Sequence, residues 1–79
     1  MEKLTRKEVI AILEEAKQQG KRADFSDMNL SGLDLSGLDL SGLDFSYTDL
    51  TRANGQVSIK WDGADLTGAN LRYANFYRR

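Results

Sequence analysis

Residues 31–45 read SGLDLSGLDLSGLDF, three near-identical units of five in succession. A period of five matches neither the roughly 3.6-residue repeat of a helix nor the two-residue repeat of a strand. Residues two apart on an extended piece point the same way, so Leu33 with Leu35, Leu38 with Leu40 and Leu43 with Phe45 can each turn inward as a pair. The next pair arrives three residues later, where an uninterrupted strand would send it to the opposite face. The chain must therefore change direction once per unit, and the Ser-Gly pairs stand where it would. Continued turning in one sense yields a coil with a packed interior.

The fives extend in both directions. From Ala23 they run ADFSD, MNLSG, LDLSG, LDLSG, LDFSY and TDLTR, then ANGQVS with one extra residue, then IKWDG, ADLTG, ANLRY and ANFYR. The insertion is expected to bulge or to loop out between Asn54 and Lys60. Before the repeat, Thr5 and Glu8 have the spacing of a capping box, and Val9, Ile12, Leu13 and Ala16 recur at three and four on one helical face. That predicts a helix to about Gln19, ended by Gly20. A single helix is marginal in water, so its apolar stripe is expected to cover something. The chain accordingly divides into 1–22, a capping helix, and 23–79, the repeat.

Composition narrows the chemistry. With 79 residues there is little room for a globular core, so an unusual construction or a partner is expected. The chain has no cysteine and no histidine. Disulfides and the ordinary nucleophile–base arrangements are therefore excluded, no metal or other cofactor is expected, and the chain is read as non-enzymatic. No apolar run approaches the ~20 residues of a membrane span, and the cytoplasm is the expected compartment. The net charge of -1 hides a division: residues 23–57 hold six Asp against Arg52 alone, while the segments on either side are basic.

Units such as ADLTG, ANLRY and ANFYR resemble the pentapeptide repeat proteins, over residues 23–78. The resemblance implies an all-β solenoid, a right-handed quadrilateral β-helix with four units per coil, here with the N-terminal α-helix as its cap. Phe25, Phe45 and Leu66 would then share one interior stack, Leu30, Leu50 and Leu71 the next, Leu35, Gly55 and Phe76 the third, and Leu40 and Trp61 the fourth. Trp61 is expected to make up the volume missing at Gly55. Met28, Leu33, Leu38 and Leu43 stand where the family usually has a small residue, and they fit if the helix forms a lid over that end.

Two functional expectations follow. Family members include imitators of duplex DNA, and Asp24, Asp27, Asp34, Asp39, Asp44 and Asp49 would form the acidic surface of such a mimic. For a chain this short the implied role is inhibition of a bacterial DNA-binding protein, a CRISPR or restriction complex, in the manner of phage anti-CRISPR or anti-restriction proteins. DNA gyrase or topoisomerase modulation and a generic interaction or structural module are the alternatives. Direct nucleic-acid binding is not expected. The final turn has no second helix to cover it, so Tyr73, Phe76 and Tyr77 are expected at a homodimer interface through the C-terminal end.

Overall fold

The computed structural model describes residues 3–55 and 59–76. The expected bulge or loop between Asn54 and Lys60 falls largely on residues 56–58, outside the described residues.

Helix α1 spans Arg6–Gln18. Its start is the expected capping box: Thr5 Oγ1 accepts from the Glu8 amide at 3.1 Å, and Glu8 Oε1 accepts from the Thr5 amide at 2.8 Å. Two orphan donors are satisfied reciprocally, which is worth about 1 kcal/mol at such a terminus. Gln19 is the C-cap, and Gly20 then takes a φ of 68°. The Gly20 amide donates to the Lys17 carbonyl at 3.1 Å and the Lys21 amide to the Ala16 carbonyl at 2.9 Å. This pair of bonds closes the helix and turns the chain into the repeat.

The repeat winds into stacked turns whose register is carried by parallel bridges. Asp24 pairs with Asp44 and Asp44 with Asp65; Asn29 with Asp49 and Asp49 with Asn70; Asp34 with Asn54 and Asn54 with Asn75; Asp39 with Lys60. The hydrogen bonds between turns run both ways. Central amides donate onward, Phe25 to the Asp44 carbonyl at 2.9 Å and Leu35 to that of Asn54 at 2.7 Å. Amides of fifth residues do the same, Gly32 to Thr51 and Tyr47 to Thr67, both at 2.8 Å. The bridged residues donate back, Asp49 to the Met28 carbonyl at 2.9 Å and Asn54 to that of Leu33 at 2.8 Å, so each end of the stack presents both amides and carbonyls.

The expected class, an all-β solenoid built as a quadrilateral β-helix, is corrected by this pairing. Among the described residues there is no β-strand, and each pairing between turns is an isolated bridge. The reason lies in the period. A corner every five residues leaves one bridged residue per face, and a ladder needs neighbouring pairs before a strand or sheet exists. The only regular element among the described residues is α1.

Side chains, rather than sheet, fill the interior. Phe25, Leu30, Leu35, Leu40, Phe45 and Leu50 are fully buried, each burial worth about 1.5–3 kcal/mol. The Phe25 and Phe45 rings stack at 5.2 Å with their planes 6° apart. Below them Trp61 meets Phe45 edge-on at 5.2 Å and Phe76 at 5.0 Å. The space at Gly55 is occupied: a Cβ there would stand 2.4 Å from Ile59 Cδ1 and 3.0 Å from Phe76 Cδ1. Ile59 and Phe76 are the side chains nearest the space that Gly55 leaves, and Trp61 packs against Phe76.

The N-terminal segment closes the end of the coil formed by the first turn. Val9 is fully buried, and Ile12, Leu13 and Ala16 pack on the core beside Met28 and Leu38. Lys3 bridges Asn29, and the Leu4 amide donates to the Asn29 carbonyl at 3.0 Å, as a central amide of a preceding turn would. On the next face Arg6 does the same work with its side chain. Its Nη1 donates to the Asp34 carbonyl at 2.6 Å and its Nη2 to the Ser36 carbonyl at 2.8 Å. These are the two acceptor positions that a preceding turn would engage with backbone amides, so one planar fork replaces two amides.

Candidate interaction surface

The outward residue before each central one makes a local bond. Asp24 Oδ1 accepts from both the amide and the hydroxyl of Ser26, at 2.9 and 2.6 Å, and Asp44 treats Ser46 the same way. Asp49 accepts from the Thr51 amide and hydroxyl. Asp34, Asp39 and Asp65 accept from the amides two residues on. Asn29 and Asn70 make the same bond with a neutral oxygen. The turn therefore requires an acceptor and not a charge.

These donors favour the ionised form. The Ser26 hydroxyl and then its amide hold the Asp24 carboxyl below its ordinary range, and Thr51 acts likewise on Asp49. Asp34, Asp39 and Asp65 are lowered in the same direction by Ser36, Ser41 and Thr67.

The expected imitation of duplex DNA is overturned by the same geometry. It called for carboxylates displayed by a stiff quadrilateral β-helix, and no strand or sheet exists among the described residues to display them. Asp24, Asp34, Asp39, Asp44 and Asp49 each turn an oxygen onto their own unit, and Asp27 stands apart at a corner with a φ of 61°. With the mimic goes the reason for naming anti-CRISPR, anti-restriction or gyrase inhibition as the role.

The corners hold residues that the repeat reading passed over. The left-handed backbone there is supplied by Gly32, Gly37, Gly42, Gly63 and Gly68, but Asp27, Tyr47, Arg52 and Tyr73 adopt it too, with φ of 59–61°. A side chain in that region costs roughly 1–2 kcal/mol. The signal was present in the sequence, as departures from glycine at the fifth place of the unit. Tyr47 lays its ring against Gly68, where an added Cβ would fall 2.4 Å from the ring edge, and is 62% exposed. Arg52 Cζ lies 5.1 Å from the centre of the Tyr73 ring, a cation–π contact one turn apart, and Tyr73 is 76% exposed.

At the end of the coil that holds Leu66 and Leu71 the interior stacks are incomplete. Leu66, Trp61 and Phe76 are only partly buried, and Leu71 is 42% exposed although Leu30 and Leu50 of the same stack are fully buried. Among the described residues the amides of Leu66, Gly68 and Leu71 find no acceptor. Of the residues expected at a dimer interface, Phe76 lies in this end against Trp61, Tyr73 turns to Arg52, and Tyr77 is outside the described residues.

Among the described residues no three carboxylates gather closely enough to hold a metal ion, and no helix is long and apolar enough to cross a membrane. No curated protein and no solved structure matches the chain. The family model described as pentapeptide repeats matches it in eight copies, over residues 21–54 and 59–78, on either side of the inserted residue. Periodicity, the register of the turns and this match over most of the sequence agree that the chain belongs to the pentapeptide repeat family.

Proposed function

We propose that the protein is a non-catalytic assembly module that pairs with a second copy of itself through the end of its coil that holds Leu66 and Leu71. The observation that carries this reading is the half-open stack: Leu71 is 42% exposed beneath fully buried Leu50. Phe76, Trp61 and Leu66 flank it, giving an apolar centre of the kind a self-complementary contact buries. In a two-fold arrangement the contact runs through these side chains, and the open backbone amides and carbonyls of this end stay with water at the rim. The chain's lack of histidine and cysteine supports a role without catalysis. The cytoplasm is the compartment proposed, since a chain without cysteine draws no disulfide stability from an oxidising one.

Light scattering tests the pairing. The parent chain is expected at twice the chain mass, and Leu71→Asp at the single mass with an unchanged circular dichroism spectrum. A parent that stays at the single mass, or a Leu71→Asp variant that stays paired, overturns the reading.

A further inference from the structure

The last described turn has three corners, each marked by left-handed backbone: Asp62 with Gly63, Thr67 with Gly68, and Arg72 with Tyr73. Its charges among the described residues are Lys60, Asp62, Asp65 and Arg72, all exposed. Acid therefore gathers about the first corner and base at the third, with Thr67 and Gly68 midway. The turn before it repeats that division. Asp39 and Asp44 bridge Lys60 and Asp65, the Arg52 amide donates to the Arg72 carbonyl, and Asp49, bridged to Asn70, is the one opposing charge on the basic side.

Four units make a turn, so a two-fold axis lying across this end has four settings. Along the face of Leu66 it sets Asp65 against the other copy's Asp65, and along the face of Leu71 it sets Lys60 against Lys60. Along the diagonal through the first and third corners, Asp62 meets Asp62 and Arg72 meets Arg72. The remaining diagonal, through the corner of Thr67 and Gly68, exchanges the acidic corner with the basic one. Arg72 stands four residues after Gly68 and so falls opposite Gly63, four before Thr67, between two carboxylates.

Pitch makes the same choice. The coil advances by about 4.8 Å per turn, hence about 1.2 Å per unit from the face of Lys60 to that of Asn75. Two such ramps close evenly only when the least advanced unit of one copy meets the most advanced unit of the other. The diagonal through Thr67 and Gly68 does this, pairing the face of Trp61 with that of Phe76. It also sets exposed Leu71 against part-buried Leu66. We infer that the two copies meet about an axis through the corner of Thr67 and Gly68, with each Arg72 guanidinium seated between Asp62 and Asp65 of the other copy. This register rests on the pairing through the coil's end proposed above.

Single cysteines test it, since the chain has none of its own. A cysteine beside a two-fold axis lies within disulfide reach of its copy, and one far from the axis does not. Under mild oxidation Thr67→Cys is expected to link to itself. Asp62→Cys and Arg72→Cys are each expected to stay unlinked alone and to link when mixed. Absence of the Thr67→Cys link, or self-linking by Asp62→Cys or Arg72→Cys ahead of it, overturns the inference. Charge exchange gives a second reading. Arg72→Asp, and separately Asp62→Arg with Asp65→Lys, introduce residues that other units of this turn carry in the same places. Each protein is expected to pair about tenfold more weakly than the parent in light scattering, and an equimolar mixture of the two to recover the parent's affinity. Variants that pair as tightly as the parent, or a mixture that stays at the single mass, overturn the register while pairing through Leu71 stands. A parent at the single mass overturns both.

Discussion

Replacing Arg6 with alanine removes a cap made by one side chain across thirty residues of sequence. The guanidinium donates to the carbonyls of Asp34 and Ser36 at 2.6 and 2.8 Å, the first exposed and the second part-buried. A hydrogen bond to a charged group is worth about 1.5–3 kcal/mol, and exposure brings the first to the bottom of that range or below it. The pair together therefore supplies about 2–3 kcal/mol, a large share of the 5–15 kcal/mol typical of a domain. For a chain this short the melting temperature should fall by about 10–20 °C. Arg6→Lys retains a point charge but not the fork, and about half the loss is expected. Thermal unfolding followed by far-ultraviolet circular dichroism measures all three proteins. The acceptors are backbone carbonyls, so the loss should persist in high salt and in an Asp34→Asn background. An Arg6→Ala loss that disappears in either condition would mean that attraction to the Asp34 carboxylate, and not replacement of missing amides, explains the contact.

Two further outcomes follow from the packing and the turns. Gly55→Ala places a Cβ 2.4 Å from Ile59 Cδ1, with no backbone strain to confuse the result, and should cost about 1–3 kcal/mol in urea denaturation; an unchanged midpoint would mean that Ile59 and Phe76 do not fill that space. Acid should destabilise the fold through Asp24, Asp34, Asp39, Asp49 and Asp65, whose carboxyls are held below 3.8 by hydroxyl and amide donors. The unfolded chain binds more protons than the folded one in that window, so the stabilisation is complete above about pH 4 and is lost as pH falls through the folded values. Replacing all five by Asn keeps the acceptor and should flatten the acid limb, whereas an identical limb in that variant would place the acid sensitivity elsewhere.

Acceptor and charge are easily confused when a repeat is read as a row. Asp34, Asp39 and Asp44 look like a line of carboxylates aimed at a partner, yet Asn29 and Asn70 in equivalent places make the same bond to their own turns. The alternation of Asp with Asn was visible from the start and pointed to the local role. The corner residues were equally visible, as Tyr47, Arg52 and Tyr73 in places where glycine recurs. The turn-to-turn register sets them along two edges of one face.

Patterns that depend on near neighbours were therefore settled by the sequence alone: the period of five, the inward pairs, the capping box of α1, its glycine stop and the single insertion. Each records a conformational preference within a few residues, and the structure contains all but the insertion in the described residues. The tertiary structure alone decided whether the turns would form strands, who would stand in for the missing turn above Asp34, and what would fill the space beside Gly55. Those outcomes depend on which groups return to the same place after a full turn. Arg6 reaches carbonyls at Asp34 and Ser36, and Ile59 and Phe76 meet at Gly55, because the winding brings them there and no local preference announces it.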